Sequence, residues 1–347
     1  MGSRLRILFI APIVSGSITE QRILSLERNN CDVVTFNLQD YYDKFNNPIS
    51  RRLAFKYNFK LLLNSMNKAI ENFIEKSDYD IAIINKGIVI SPKLVKSIKE
   101  KSNKNYILHY SADPTLITHK TRYFTNSIPF YDLCVTTKSY EIELYPQYNP
   151  KRVEFINQGY DKSFVEIAKK SNKREYLYDV VFIGRLEEHY AKALREVIKI
   201  TENVAFWGPW EKQIRLYPDL AKFWKGSSVF GEEYVLKLRE GRICLGLLCK
   251  YHPDQSTTRT FEIPASGSFM LTERTAEHES LFIDGQEAVF FDTYHDLGQK
   301  VRYYLDNENI RKKIEIAGFK RCIDSNYSND NRMKEILDIV RGELDGN

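Results

Sequence analysis

The sequence predicts an α/β protein built as two Rossmann-like domains, each a doubly wound parallel sheet. Three observations predict it. The chain has 347 residues, enough for two domains at about 100–200 residues each. Short apolar runs alternate with amphipathic stretches at the spacing of strand–helix–strand units. The alternation then restarts after the polar stretch Lys169-Lys170-Ser171-Asn172-Lys173-Arg174. With 43% hydrophobic and 28% charged residues, a disordered or low-complexity chain is excluded.

Residues 4–11 read as a buried strand bounded by Pro12. The small-residue loop Ser15-Gly16-Ser17 follows, then a helical pattern through Ile18, Arg22, Ile23 and Leu26. Residues 32–37 are a second strand. Residues 50–76 predict one long amphipathic helix with Leu53, Tyr57, Leu61, Leu62, Met66, Ile70, Phe73 and Ile74 on one face. Residues 79–85 are a strand, and Ser91-Pro92 opens a helix to about Lys101. Strands at 105–110, 133–136 and 152–156 complete the first half, with a short helix from Ser139. The second half reads strand 178–183, helix 191–201, strands 204–207 and 243–248, and a helix from about Thr258. Strands 269–272 and 288–291 follow, then helices 294–306, 308–323 and about 329–343. The expected domains are 1–160 and 177–328, with residues 329–347 packing back on the first.

Lys and Arg number 51 against 46 Asp and Glu, a net charge of +5. The surplus is uneven: residues 1–170 carry 25 basic against 17 acidic side chains. Basic residues gather at Lys44, Arg51, Arg52, Lys56 and Lys60, and again at Lys93, Lys96, Lys99, Lys101 and Lys104. Such clusters are either solvated helix faces or an attraction to an anionic acceptor or membrane surface. Specific nucleic-acid binding does not follow from this charge. The five cysteines, Cys31, Cys134, Cys244, Cys249 and Cys322, form no Cys-x-x-Cys pair and read as buried thiols in a reducing cytoplasm. No apolar run approaches the roughly 18 residues of a membrane span. The start lacks the cleavage site of a signal peptide. The expected location is cytoplasmic, with peripheral contact at the inner face of the membrane as one candidate.

The chemistry-bearing stretch runs from His252 to Thr272, after a buried strand and into a helix. Ligands of open α/β sheets bind beyond the carboxyl ends of the strands. A helix N-terminus there offers free N–H groups to phosphate. Ser256, Thr257 and Thr258 are good N-cap residues, and Arg259 adds a forked cation. Glu262, about one turn further in, can accept two ribose hydroxyls, or else is a solvated residue partnered by Arg259. His109 and Asp113 flank a strand end, each a candidate base or acceptor-positioning group. Against that, a buried histidine is commonly structural and Asp-Pro initiates turns. The sequence holds no His-Glu-x-x-His or Cys-x-x-Cys metal motif, no Gly-x-Ser-x-Gly elbow, and no dinucleotide or P-loop fingerprint.

Arg-Thr-Phe-Glu-Ile-Pro-Ala-Ser-Gly-Ser-Phe-Met-Leu-Thr (259–272), followed by Glu279-Ser-Leu-Phe-Ile-Asp-Gly-Gln-Glu287, resembles the C-terminal signature of GT-B glycosyltransferases. It is most similar to the spore-maturation-protein-like (CgeB-type) branch near the group 1 enzymes. Asn309 to Gly318, Leu5 to Ile10, Gly16-Ser17, Gln21-Arg22, Ser111-Ala112-Asp113-Pro114 and Ile156 to Asp161 also match. The resemblance covers most of the chain and is strongest over 179–322. It implies two domains facing a cleft, a nucleotide-sugar donor on the second domain, and an acceptor on the first. That acceptor would be a glycan, a protein or a lipid-linked glycan. No cofactor and no protein-held metal are implied.

Position by position, the family's acid, seven residues, then Glu falls on Asp254 and Glu262. Glu262 is then the ribose-binding carboxylate, and Asp254 lies beside the donor sugar, with retention of configuration implied. Asp254 is one methylene shorter than the family's usual Glu. Gly184-Arg185 match the Gly-Arg after the first strand of the donor domain, with Lys192 as the nearest later lysine. Phe206-Trp207-Gly208-Pro209-Trp210 resembles the turn near the base, where a Trp stacks or sits in the core. Gly231, within Val229 to Tyr234, lets backbone approach the base. Gly16 brings a loop against donor phosphates or acceptor. Two alternatives stand beside this reading: a sugar-nucleotide epimerase of the same fold, and a non-catalytic scaffold derived from a transferase.

Overall fold

The computed structural model describes residues 4–45, 47–170 and 174–346. Met1-Gly2-Ser3 and the Ser171-Asn172-Lys173 part of the polar stretch lie outside the described residues. The chain divides into two compact units, residues 1–158 with 329–347, and residues 159–328.

The first unit holds β1 (Leu5–Ala11), β2 (Cys31–Asn37), β3 (Ile81–Asn85), β4 (Tyr106–Ser111), β5 (Leu133–Thr136) and β6 (Val153–Phe155). All pair in parallel, in the order β2-β1-β3-β4-β5-β6. Every residue of β3 and β4 is buried, and β3 accordingly reads as an apolar run while β4 buries His109 and Ser111 among its apolar residues. The helices are α1 (Ile18–Arg28), α2 (Gln39–Tyr42), α3 (Pro48–Phe55), α4 (Lys60–Ile74), α5 (Pro92–Lys101) and α6 (Arg122–Ser127). At α5 the Ser-Pro start works as read: Ser91 caps by accepting from Leu94 N–H, and Pro92 fills the first turn.

The single helix expected over 50–76 is two helices, α3 and α4. Asn58 adopts φ +48, a left-handed turn that no helix continues through. Its side-chain amide donates to Ala54 O and Ile88 O and fixes the break. Leu63, Met66, Ile70 and Ile74 still face the core, but Tyr57 and Leu61 turn to solvent. The short helix from Ser139 is a 3₁₀ helix, Ser139–Leu144.

The second unit holds β7 (Tyr178–Ile183), β8 (Val204–Trp207), β9 (Trp224–Gly226), β10 (Gly241–Gly246), β11 (Met270–Glu273) and β12 (Val289–Phe291). They are parallel in the order β12-β11-β10-β7-β8-β9. Its helices are α7 (Lys162–Lys170), α8 (Glu188–Ile198), α9 (Pro218–Ala221), α10 (Gly231–Arg239), α11 (Arg259–Ala265), α12 (Ala276–Leu281), α13 (Tyr294–Asp306) and α14 (Glu308–Asp324). Four of these, α7, α9, α10 and α12, and the short strand β9 are additions to the sequence reading. Finally α15 (Asn329–Asp345) returns to the first unit and packs on α1. Its Met333, Ile336, Leu337 and Val340 join Ile7, Phe9 and Leu26 in one core, and Arg28 Nε binds Asp330 at 2.9 Å.

Candidate active site

In the second sheet the winding reverses between β7 and β10, so the loops leaving these two strands lie side by side at the carboxyl edge. Arg259 ties them together. Its Nη1 donates to Ile183 O at 3.3 Å and its Nη2 to Leu247 O at 2.7 Å. A Cβ at Gly184 would stand 2.8 Å from that Nη1 and from Phe182 Cζ, so these side-chain ends would have to shift. The fork expected to grip a diphosphate is therefore first a clamp on the protein's own carbonyls, and a ligand would meet its remaining N–H groups.

The turn after β8 locks against the same glycine. Gly208, at φ +154, leaves no room for a side chain: a Cβ would sit 1.9 Å from Gly184 O. Trp210 is fully buried and its indole N–H donates to Gly184 O at 2.7 Å. Trp207 is 5% exposed, within the core, and edge-on to Tyr178. Of the two readings of Trp207, stacking or core, the structure has the core one. Trp207 offers no free face for stacking, and Gly208 serves the turn. Gly231, at φ +55, needs its missing side chain for conformation, since a Cβ there would touch no protein atom.

Glu262 is 6% exposed on α11, and its Oε2 accepts from the Tyr234 hydroxyl of α10 at 3.0 Å. The solvated reading of Glu262 is thus wrong. Burial, and then the Glu262 charge, hold the Tyr234 phenol well above its ordinary value. The first turn of α11 is built from a buried chain of hydrogen bonds. His278 lies where Glu273 O can only accept, at 2.6 Å from Nδ1, so Nδ1 carries the proton. Its Nε2 then accepts from Thr260 Oγ1 at 2.9 Å, and that oxygen accepts from Thr257 N–H at 3.1 Å. Burial pushes His278 down to about 4, so it is neutral.

The loop between β10 and α11 is stapled by the end of β11 and the segment after it. Glu273 accepts from Leu248 N–H at 3.1 Å and pairs with Lys250. Thr275 donates to Gln255 O at 2.7 Å, and Ser256 donates to Glu277 Oε2 at 2.5 Å. This corrects the expected caps. Ser256 is turned to Glu277, the Thr257 hydroxyl is buried without a partner, and Thr258 makes no side-chain cap bond. Asp254 is buried in this loop with its Oδ1 3.0 Å from His252 Nδ1. Arg185 is exposed and has no side-chain partner among the described residues. Lys192 pairs with Glu188 at 2.8 Å on the exposed surface of α8.

In the first sheet the reversal falls between β1 and β3. Gly16, at φ +74, donates its N–H to Glu20 Oε2 at 2.6 Å, while Ser17 Oγ accepts from Glu20 N–H at 3.3 Å. This is a variant of the capping box in which Glu20 takes the amide of the residue before the N-cap, and it occupies the Gly16 N–H in the loop expected to meet donor phosphates or acceptor. His109 is corrected too. It is fully buried, binds Lys86 O through Nε2 at 3.1 Å, and packs on Phe124 and Tyr131. Burial pushes it down to about 4, so it is a neutral strut out of reach of substrate. Asp113 is half-exposed, with Lys86 Nζ 2.7 Å from its Oδ2. Partial burial raises its pKa, but Lys86, aided by His119 and Lys138, offsets that and leaves the carboxyl below its usual range. Lys86 itself sits at φ +69, in a tight turn where Gly87 N–H donates to Asn85 O. Buried Glu141 braces the segment after Asp113 by accepting from Leu116 N–H at 2.7 Å. Burial raises Glu141 to about 6.

Among the described residues, no three His, Cys, Asp or Glu side chains are grouped as a metal would need. No helix among them is long and apolar enough to cross a membrane.

These two sheets, with their switch points and the returning last helix, are the fold of the GT-B glycosyltransferases. Residues 185–338 match the family model described as "Glycosyl transferase-like". No curated protein matches the chain by sequence. Among solved structures, sucrose-phosphate synthase from Thermosynechococcus elongatus is similar with a TM-score of 0.70 at 11% identity, covering 99% of this chain and 100% of that one. A glycosyltransferase from Rickettsia africae has a TM-score of 0.66 at 14% identity, covering 99% of each chain. Anabaena Alr3699/HepE in complex with UDP-glucose has a TM-score of 0.63 at 11% identity, covering 98% and 100%. At such identities the likeness establishes the fold.

Proposed function

We propose that this protein transfers a glycosyl group from a nucleotide sugar to an acceptor hydroxyl, within the spore-maturation-protein-like branch of the GT-B enzymes. The observation that carries this reading is Glu262. It is a buried carboxylate one turn into α11, oriented by Tyr234, beside the switch point of the second sheet. In the proposal Glu262 holds the two ribose hydroxyls. Arg185 and the remaining N–H groups of Arg259 meet the diphosphate. Asp254 faces the sugar, which is transferred with retention and without a metal. As the bond from the anomeric carbon to the diphosphate oxygen breaks, fixed cations stabilise the charge gathering on the leaving group. In the first unit Asp113, held by Lys86, orients the acceptor. Because HepE was solved with UDP-glucose, uridine diphosphate sugars are the first donors to try.

Incubation with a panel of sugar nucleotides, with and without acceptors, tests the reading. Acceptor-dependent release of nucleoside diphosphate supports it. Isomerised donor without acceptor would mean an epimerase, and binding without turnover a scaffold. Glu262→Ala removes up to two charge-assisted hydrogen bonds, on the order of 1.5–3 kcal/mol each. Calorimetry should show at least about a tenfold loss of nucleoside diphosphate affinity. Unchanged affinity sinks the assignment, and activity abolished by EDTA and restored by magnesium or manganese sinks the metal-free mechanism.

A further inference from the structure

The two basic clusters of the first unit have different fates. In the second, three of the five lysines are paired: Lys99 binds Asp132 at 2.5 Å, which Lys151 from outside the cluster shares at 2.8 Å, Lys101 pairs with Glu75 at 2.6 Å, and Lys96 lies 3.6 Å from Glu100, while Lys93 and Lys104 have no carboxylate partner among the described residues. In the first, Lys44, Arg51, Arg52, Lys56 and Lys60 have no carboxylate partner among the described residues. Arg51 reaches Phe45 O, Arg52 reaches the Tyr57 hydroxyl, and Lys44 lies over the Tyr41 ring. The sequence explains why: residues 44–70 contain no Asp or Glu. The charge also belongs to this unit as a whole. It carries 25 Lys and Arg against 20 Asp and Glu, while the other balances 26 with 26.

Large apolar side chains stand exposed in the same stretch. Ile49 is 73% exposed, Tyr57 55%, Phe59 48% and Leu61 74%. Single exposed apolar residues are ordinary. Four within residues 49–61, rimmed by cations, are the composition of a surface that lies in a membrane interface. Cations gain from an anionic headgroup layer, and the apolar tips from the boundary beneath it. A soluble polyanion would use the charges and leave the apolar residues unexplained. A second copy of this face would set like charges against each other.

We propose that α3 and the start of α4, with the turn between them, are a docking surface for an anionic bilayer, entered by Ile49, Tyr57, Phe59 and Leu61 and held by Arg51, Arg52, Lys56 and Lys60. Neither the donor site nor turnover enters this inference, so it stands or falls apart from the proposed transferase activity.

Co-sedimentation of the full chain tests it, with vesicles of phosphatidylcholine alone or mixed with phosphatidylglycerol. The protein should pellet with the mixed vesicles at low salt, be released by high salt, and ignore phosphatidylcholine alone. Arg51→Glu with Arg52→Glu and Lys56→Glu should weaken binding about tenfold or more. Ile49→Ser with Leu61→Ser should weaken it about tenfold, with thermal melting as in the parent chain because both positions are exposed. No pelleting with mixed vesicles, or equal pelleting with phosphatidylcholine, overturns the proposal. So does a serine pair that binds vesicles as tightly as the parent while dextran sulfate binds equally to both, which assigns the surface to soluble polyanions. A parent dimer in sedimentation velocity that the serine pair makes monomeric overturns it in favour of self-association.

Discussion

Each unit fully buries one histidine near the working end of its sheet, and the two are used differently. His278 has both ring nitrogens engaged, one on Glu273 O and the other on Thr260, and through Thr260 it shapes the first turn of α11. His109 engages only Nε2, on Lys86 O, and leaves Nδ1 buried without a partner. The first is a member of a polar network that stabilises only when every member is satisfied. The second is a flat ring among Phe124 and Tyr131 that carries one hydrogen bond. Equal burial therefore does not mean equal importance, since what a buried polar group organises depends on how many of its partners it completes.

The largest effect expected is on pH dependence, where the two histidines act alike. Both fall to about 4 in the folded chain from an ordinary value near 6.5. Between those values the unfolded chain binds more protons. Stability is therefore complete above pH 6.5 and is lost as pH falls toward 4, by at most on the order of 3 kcal/mol for each histidine. Urea midpoints at pH 7 and 4.5 measure this, and the loss should shrink in a variant lacking either ring. A variant without His109 and His278 that keeps the full parental pH dependence would remove the claim.

Substitution at pH 7 separates the two. His278→Leu strands the Thr260 hydroxyl and Glu273 O, and should cost about 3 kcal/mol at about 1–3 kcal/mol per orphaned group. Nucleotide affinity should fall with it, because the α11 turn loses its brace. His109→Phe keeps the ring packing and orphans one carbonyl, so about 1 kcal/mol is expected. Equal losses in denaturant melts would erase the distinction drawn above. At the far end, Lys192→Ala removes an exposed pair with Glu188. It should move both stability and diphosphate affinity by less than about 0.5 kcal/mol, and a tenfold drop in affinity would place Lys192 in the site.

The legible parts were those written in local pattern. Buried parallel strands are unbroken apolar runs, so β1, β3 and β7 announce themselves. The Ser91-Pro92 start is a complete local signal. Glu262 was singled out by the family's spacing from Asp254, and the structure shows it buried against Tyr234. The break at Asn58 was hidden because Tyr57 and Leu61 keep a helical period while facing water, and periodicity does not say which side a residue faces. The brace of α11 was hidden for another reason. Glu273 ends β11, Glu277 and His278 follow it, and only the parallel pairing of β10 with β11 brings them to the loop. At the Gly16 loop the Ser17-x-x-Glu20 spacing was legible as a helix start, and the structure adds that Glu20 also takes the Gly16 amide.

The return of α15 to the first unit sets an order of assembly. The apolar face of α1 and the sheet beneath it stay open until Met333, Ile336, Leu337 and Val340 arrive. They follow residues 159–328, all of the second unit. At synthesis rates of roughly 5–20 residues per second, the half-covered first sheet waits on the order of ten seconds or more on the ribosome. Meanwhile the second unit, contiguous in sequence, has everything it needs. The later-made half is thus the one able to finish folding first. Mutations that loosen α15 should then appear as aggregation of nascent chains before they appear as lost activity.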